Sequence, residues 1–433
     1  MSTATSQPLV FWKDLSPSPV PLEPATPFSP RVLIVGGGVI GLVTAWTLLD
    51  KGYHVTILAK EWASFGKEQR LTSQIAGALW EYPPAVCGQH TDAISLRHSR
   101  KWCMVSYHVW DAIAAKPDLA REAGVSVKPS DFFFPFPIDE DPSQLAKMDE
   151  IAASGVRGFR HSQSIVQERN VNPEYGAVDA YELLAPVIDT DRAMTWLMDL
   201  VQRKGAKLVT RTLRGDLLDQ EQALRAEYAA DVIVNATGIA GTELAGDPTC
   251  YPIRGGLLRV INDGSDFPVI DAALSISADV ANEIVFLVPR NDKILIIGGI
   301  TEPHEDDLDY TLDTPIIKRM RARCEAFLPQ LKKARLDPDY PIAQGLRPFR
   351  KHNVRVEREL RPVAGESIVK YSRIIHSYGH GGAGWSLAFG CAADLLALVE
   401  EALLDKAPTP MATEADQIRR HKEETDVRIM ARL

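Results

Sequence analysis

A chain of 433 residues, 45% hydrophobic and 24% charged, can bury one large core or two intertwined ones and has the composition of a soluble globular protein. Its net charge of −9 argues against DNA or RNA as the main partner, because phosphate neutralisation needs clustered Lys and Arg. The cysteines Cys87, Cys103, Cys250, Cys324 and Cys391 are scattered, with no close pair at metal-ligand spacing, which suits a reduced intracellular compartment.

Along the chain, residues 1–30 carry Pro8, Pro17, Pro19, Pro21, Pro24, Pro27 and Pro30, which rule out a regular helix or central strand. An extended tail on the surface or partly disordered is expected there, and the absence of a basic start followed by an apolar core argues against a secretory signal. From Val32 to Leu49 no residue is charged, long enough to raise the question of a membrane span. Gly36, Gly37, Gly38 and Gly41 divide that run into strand, turn and helix instead. A strand over Val32–Val35, a helix over Val39–Lys51 stopped by Gly52, and a strand over Tyr53–Ala59 make a βαβ unit. Residues 86–185, rich in aromatics and prolines, lack βα alternation and read as an inserted region. A helix near 192–204, a strand over Lys207–Thr210 and an apolar strand over Asp231–Asn235 resume it. Short strands between 252 and 300, including Ile284–Val288 and Lys293–Ile297, predict antiparallel sheet. A strand over Ile374–Ser377, a glycine-rich turn and a helix over Trp385–Leu404 follow. The expected organisation is an N-terminal extension (1–30), a discontinuous dinucleotide-binding domain (31–85, 186–258 and 344–405), a substrate domain (86–185 and 259–343) and a C-terminal tail (406–433).

Gly36-Gly37-Gly38-Val39-Ile40-Gly41 matches G-x-G-x-x-G between a strand and a helix. Gly36 allows the tight turn, Gly38 lets backbone approach a pyrophosphate, Gly41 lets helix and strand pack, and the helix N–H groups from Val39 and Ile40 onward face phosphate charge. Lys60-Glu61 ends the second strand, and Glu61 is the better candidate to hold an adenosine ribose. The motif does not choose between FAD and nicotinamide. Thr237-Gly238 at a strand end, and Gly379-His380-Gly381-Gly382-Ala383-Gly384 before the last long helix, point to a flavin, since a glycine run before a helix sets backbone N–H groups against an electron-rich ring carbonyl.

These segments, with Ile75-Ala76-Gly77-Ala78-Leu79-Trp80, Gly345-Leu346-Arg347-Pro348 and Val354-Arg355-Val356-Glu357-Arg358-Glu359, resemble the D-amino-acid oxidase family, which includes D-aspartate oxidases, in order and spacing from residue 31 to about 404. The resemblance implies an α/β fold in which a Rossmann-like FAD-binding domain is interleaved with an α+β substrate domain built on an antiparallel sheet. It implies that Thr72, Ser73, Gly77 and Leu79 lie along the flavin, and that Gly381, Gly382, Gly384, Trp385 and Ser386 surround its pyrimidine side. It makes Arg347 the substrate carboxylate clamp, a task that suits a guanidinium fork. The chain departs from the family where a carboxylate-binding tyrosine is expected and Phe286 stands. Thr301 replaces a second active-site tyrosine, and Ala383 the aromatic of the glycine loop. Tyr82 and Ser277 are candidates for the missing hydroxyl.

The implied activity is oxidation of an amine carbon by hydride transfer to flavin, then reduction of O2 to H2O2, with Arg347, Phe286 and Gly382 nearest the chemistry and no catalytic carboxylate required. Two alternatives stay open: an FAD oxidase of a non-standard amine or biosynthetic intermediate, favoured by Phe286 and Thr301, and a flavin-binding protein without turnover. No metal site is expected, because glycines place the His376 and His380 pair in a loop without a matching acid motif. The expected partners are a small-molecule amine or amino acid, O2 and a peroxisomal import receptor, since Ala431-Arg432-Leu433 resembles the small-basic-leucine peroxisomal address. A homo-oligomer is left open, and cytoplasmic residence is the alternative to the peroxisome.

Overall fold

The computed structural model describes residues 8–84, 93–276, 284–362 and 371–411. Cys87, Ser277 and the C-terminal tripeptide lie outside the described residues. In chain order the strands are β1 (Arg31–Val35), β2 (His54–Ala59), β3 (Val125–Phe134), β4 (Arg160–His161), β5 (Asp179–Ile188), β6 (Lys207–Thr210), β7 (Val232–Asn235), β8 (Cys250–Ile261), β9 (Ala273–Ile276), β10 (Val285–Pro289), β11 (Ile294–Gly298), β12 (Glu302–Pro303), β13 (Ile342–Arg350), β14 (Arg355–Arg358) and β15 (Ile374–Tyr378).

Six of them form one sheet in the order β14-β15-β7-β1-β2-β6, parallel except for β14. Its central strands, rich in Val and Ile, are covered on both faces, which is why they read as continuous apolar runs without alternation. The helix Val39–Asp50 is buried over almost its whole length against this sheet and the helices Thr190–Arg203 and Gly384–Leu403. The uncharged run from Val32 to Leu49 is thus strand, turn and core helix, and among the described residues no helix is long and apolar enough to cross a membrane. The second sheet has nine strands, in the order β12-β8-β11-β10-β9-β3-β5-β4 with β13 also paired to β8. It is antiparallel except where β3 meets β9. The helix Pro315–Phe327 covers it through Ile317, Met320, Cys324 and Phe327.

The structure departs from the segment boundaries in two places. The strands β8 and β13 belong to the nine-stranded sheet, so the boundaries at 258 and 344 fall inside strands that pair with each other from Cys250↔Arg350 to Leu258↔Ile342. The helix Ala93–Ala114, from the inserted segment, packs on the helix Gly384–Leu403 of the dinucleotide-binding layer. A Cβ at Gly390 would lie 2.1 Å from Trp102 Cα, so glycine there is what lets the two backbones meet.

The N-terminal extension also differs from expectation. Prolines do deny residues 8–30 a regular helix, but Leu9, Phe11 and Leu15 are buried in the core beside Trp46. Ser16 N–H and Leu22 N–H donate to the carboxylate of Asp50 at 2.8 and 3.0 Å, and Trp46 Nε1–H donates to it at 2.8 Å. Lys204 Nζ, fully buried like Asp50, completes the cluster at 2.5 Å. The described part of the extension is therefore a docked strap, held because a buried carboxylate must find donors.

Candidate active site

The first turn of the six-stranded sheet builds one end of the site. Gly36 has φ +121, and a Cβ on it would lie 2.2 Å from Ala236 O. A Cβ on Gly41 would lie 2.0 Å from Gly36 O. These contacts close the turn so that Gly37, Gly38, Val39 and Ile40 face a continuous cavity of about 650 Å³, while Gly41 packs behind it and does not line it. The helix beginning at Val39 has no cap from Gly38 and no acidic residue in its first turn, and with Val39 N–H taken by Ser73 Oγ the N–H groups that follow remain for an anion. Lys60 and Glu61 line the same end as an exposed ion pair at 3.2 Å. Arg211, Arg214 and Glu243 stand there too, and the sequence reading missed them. Basic residues just past the edge strand β6 were the available signal.

One wall runs from Gln69 to Leu79. Thr72 Oγ1–H donates to Leu346 O at 3.3 Å, Ser73 Oγ accepts from Val39 N–H at 3.1 Å, and Ser73 O accepts from Trp385 Nε1–H at 2.8 Å. A Cβ on Gly77 would come within 2.3 Å of the Phe286 ring, so glycine lets the wall lie against that ring. The facing wall is the loop between β15 and the helix Gly384–Leu403, where Gly379 and Gly381 have φ of +82 and +57. Gly381 N–H donates to Pro348 O at 2.8 Å. Gly381, Gly382, Ala383, Gly384, Trp385 and Ser386 line the cavity together with Thr237 and Gly238, and this second helix also starts without a side-chain cap.

At the substrate-sheet end stand Phe286 of β10, Arg347 of β13 and Thr301. Arg347 lies across β8 at Gly255, where a Cβ would be 2.4 Å from Nη1, and Nη1–H donates to Ile300 O at 2.9 Å. Among the described residues no carboxylate pairs with this guanidinium. Gly255, in a Gly-Gly pair inside a strand, carries the signal of close backbone approach that the sequence reading did not use. Tyr82, a candidate for the missing hydroxyl, is packed beside Trp80 under Arg100 and does not line the cavity, because its ring completes an apolar cluster.

Two buried polar atoms on the cavity lining, Ser377 Oγ and His380 Nε2, have no partner within the protein among the described residues. Burial alone pushes His380 down to about 3, so its ring is neutral. His376, by contrast, is engaged by Glu359 at 3.1 Å and Asn235 at 3.3 Å. Orphaned polar atoms, glycine-lined walls and two open helix N-termini in one elongated cavity fit a dinucleotide that carries a polar ring.

Residues 31–398 match the family model described as FAD dependent oxidoreductase. The chain belongs to the D-amino-acid oxidase family of FAD-dependent oxidoreductases. It is 30% identical to a D-amino-acid oxidase of Streptomyces coelicolor over 84% of this chain and 94% of that one. It is also 30% identical to a D-amino-acid oxidase of Rubrobacter xylanophilus, over 86% and 97%. Among solved structures, glycine oxidase from Geobacillus kaustophilus superposes with a TM-score of 0.63 at 18% identity, covering 90% of this chain and 98% of that one. The FAD-bound L-alpha-glycerophosphate oxidase from Mycoplasma pneumoniae superposes with 0.62 at 16%, covering 86% and 95%, and these two likenesses speak to fold. The cofactor of this family is FAD. In this chain the turn at Gly36–Ile40 would hold its phosphates, Thr72 to Leu79 one side of its ring, and Gly381 to Ser386 the ring's polar edge.

Proposed function

We propose that this enzyme oxidatively deaminates a D-amino acid, yielding an imino acid that hydrolyses to the keto acid and ammonia. The observation that carries the reading is Arg347, a guanidinium on the cavity wall with no carboxylate partner among the described residues. Its bond to Ile300 O fixes one N–H and leaves the others for a carboxylate. FAD, when bound, supplies a two-electron acceptor that dioxygen can reoxidise, giving hydrogen peroxide. The protein's part is to orient the substrate. Arg347 anchors the carboxylate, and Phe286 with Gly77 walls the reacting end from water. From a substrate bound with its amine neutral, the α-hydrogen would leave with its electron pair to the bound acceptor while the nitrogen lone pair forms the iminium, which gives its N–H proton to solvent, so no side-chain base is required at carbon.

Phe286 favours a second reading, an FAD oxidase of a less usual amine, because it offers the carboxylate no hydroxyl where the family places one. Anaerobic mixing of the holoenzyme with a panel of D-amino acids and secondary amines tests both. Bleaching of the flavin by D-amino acids supports the first reading, bleaching only by other amines supports the second, and no bleaching by either class overturns both.

A further inference from the structure

We propose, building on the amino-acid oxidation above, that Glu81 selects the substrate's side chain and that the preferred substrates carry a cation at its end. Glu81 lines the same cavity as Arg347, at the end of the Gln69–Leu79 wall. Its backbone is fixed, since the adjoining Trp80 is buried and donates to Pro186 O and Cys103 O, each at 3.0 Å. The side chain lies deep in the protein, yet 21% of its surface is accessible. Among the described residues its carboxylate has one partner, Lys147 Nζ at 3.5 Å, and that ammonium makes its shorter bond, 2.7 Å, to Pro84 O. A carboxylate can accept about four hydrogen bonds, so most of its capacity is unfilled.

The neighbourhood is otherwise apolar and aromatic. Burial pushes the Glu81 carboxyl up, against the pull of Lys147. A carboxylate so placed gains most from a ligand that brings both a proton donor and positive charge. Arg347 on the substrate sheet and Glu81 at the end of the Gln69–Leu79 wall both line this cavity and do not pair with each other, and the Glu81 carboxylate keeps acceptor capacity beyond its bond to Lys147. A substrate with a carboxylate at one end and an ammonium or guanidinium at the other satisfies both.

The test uses holoenzyme and matched substrates: D-lysine against D-norleucine, and D-arginine against D-citrulline, with anaerobic flavin reduction as the readout. The expected result is a preference of at least about tenfold in kcat/KM for the cationic member of each pair. Glu81→Gln, which keeps size but removes the charge and exchanges one acceptor oxygen for an NH2 donor, should bring that ratio within about threefold while neutral substrates stay within about twofold of wild type. Neutral members preferred by the wild type, or a ratio unchanged in Glu81→Gln, would overturn the proposal. Equilibrium binding of 6-aminohexanoate against hexanoate, read from the flavin spectrum, separates this claim from the oxidation itself. If no D-amino acid reduces the flavin, the reaction falls, while tighter binding of 6-aminohexanoate that Glu81→Gln abolishes still upholds Glu81. Equal binding of the two acids sinks it.

Discussion

Replacing Arg347 by alanine removes the guanidinium that the cavity offers to a carboxylate. One Nη1–H is spent on Ile300 O at 2.9 Å, and the packing over Gly255 holds the group in place, so the remaining N–H donors are preorganised for a ligand. Two charge-assisted hydrogen bonds are worth about 1.5–3 kcal/mol each. Arg347 is only partly buried, and solvent screening brings the expected loss down to about 2–4 kcal/mol, or roughly 30- to 900-fold in kcat/KM. The assay compares a D-amino acid with its carboxamide, which keeps the side chain and the amine but loses the charge. Flavin reduction at subsaturating concentration and equilibrium binding are both read, in wild type and variant. The loss should fall on the acid and be at most about one third as large, in kcal/mol, for the amide. Equal losses would refute the reasoning, and would assign Arg347 to holding Ile300 and the β8–β13 pairing.

Gly77→Ala should weaken FAD binding by about 1–3 kcal/mol, because its Cβ would meet the Phe286 ring at 2.3 Å, and adding Phe286→Leu should restore part of that loss; fluorescence titration of apoprotein with FAD measures both. Lys204→Met should cost about 3–5 kcal/mol in urea unfolding by leaving Asp50 buried without its counter-charge, and Asp50→Asn in the same chain should recover part of it. Burial pushes Asp247 up, but hydrogen bonding from Thr249, the charge of Arg350 and hydrogen bonding from Tyr378 outweigh it and hold the carboxyl at about 2. Its folded value lies below its ordinary one, so the stability it contributes, about 2 kcal/mol, is present above pH 4 or so and lost as pH falls toward 2. Asp247→Asn should flatten that part of the acid-unfolding profile, and an unchanged profile would remove Asp247 from the account.

The cofactor half of the site was legible because its chemistry is backbone chemistry. A turn in which a Cβ would stand 2.0 or 2.2 Å from a backbone carbonyl admits only glycine, and that demand is written as spacing at Gly36 and Gly41. The substrate half depends on meetings between distant strands, which leave no local pattern. That Arg347 crosses β8 at Gly255, or that Gly77 lies against Phe286, follows from the register of β13 on β8 and the approach of one wall to the other sheet. The strap was misread for a related reason. Proline excludes regular hydrogen bonding but not docking, and the donors that Asp50 requires lie 28 and 34 residues upstream.

What joins the two halves is a buried ionic network beneath the Gln69–Leu79 wall. Asp191, in the first turn of the helix Thr190–Arg203, accepts from Arg70 at 2.7 Å, Gln74 at 2.9 Å and Arg259 at 3.3 Å. Arg259 belongs to β8, the strand over which Arg347 lies, and also holds Asp337 at 2.9 Å. Arg290, directly after the β10 strand that carries Phe286, donates to Ala76 O at 2.5 Å and bonds Thr190, whose own hydroxyl donates to Gln74 O at 2.6 Å. Burial lowers Arg290 only to about 10, so it remains a cation at neutral pH. Breaking one member of such a network leaves a desolvated charge, so the wall cannot shift without a cost of several kcal/mol. The strand that carries Phe286 and the strand over which Arg347 lies are therefore tied to the Gln69–Leu79 wall by the same charges, so the two sides of the cavity would be held in register by side chains that need touch neither cofactor nor substrate.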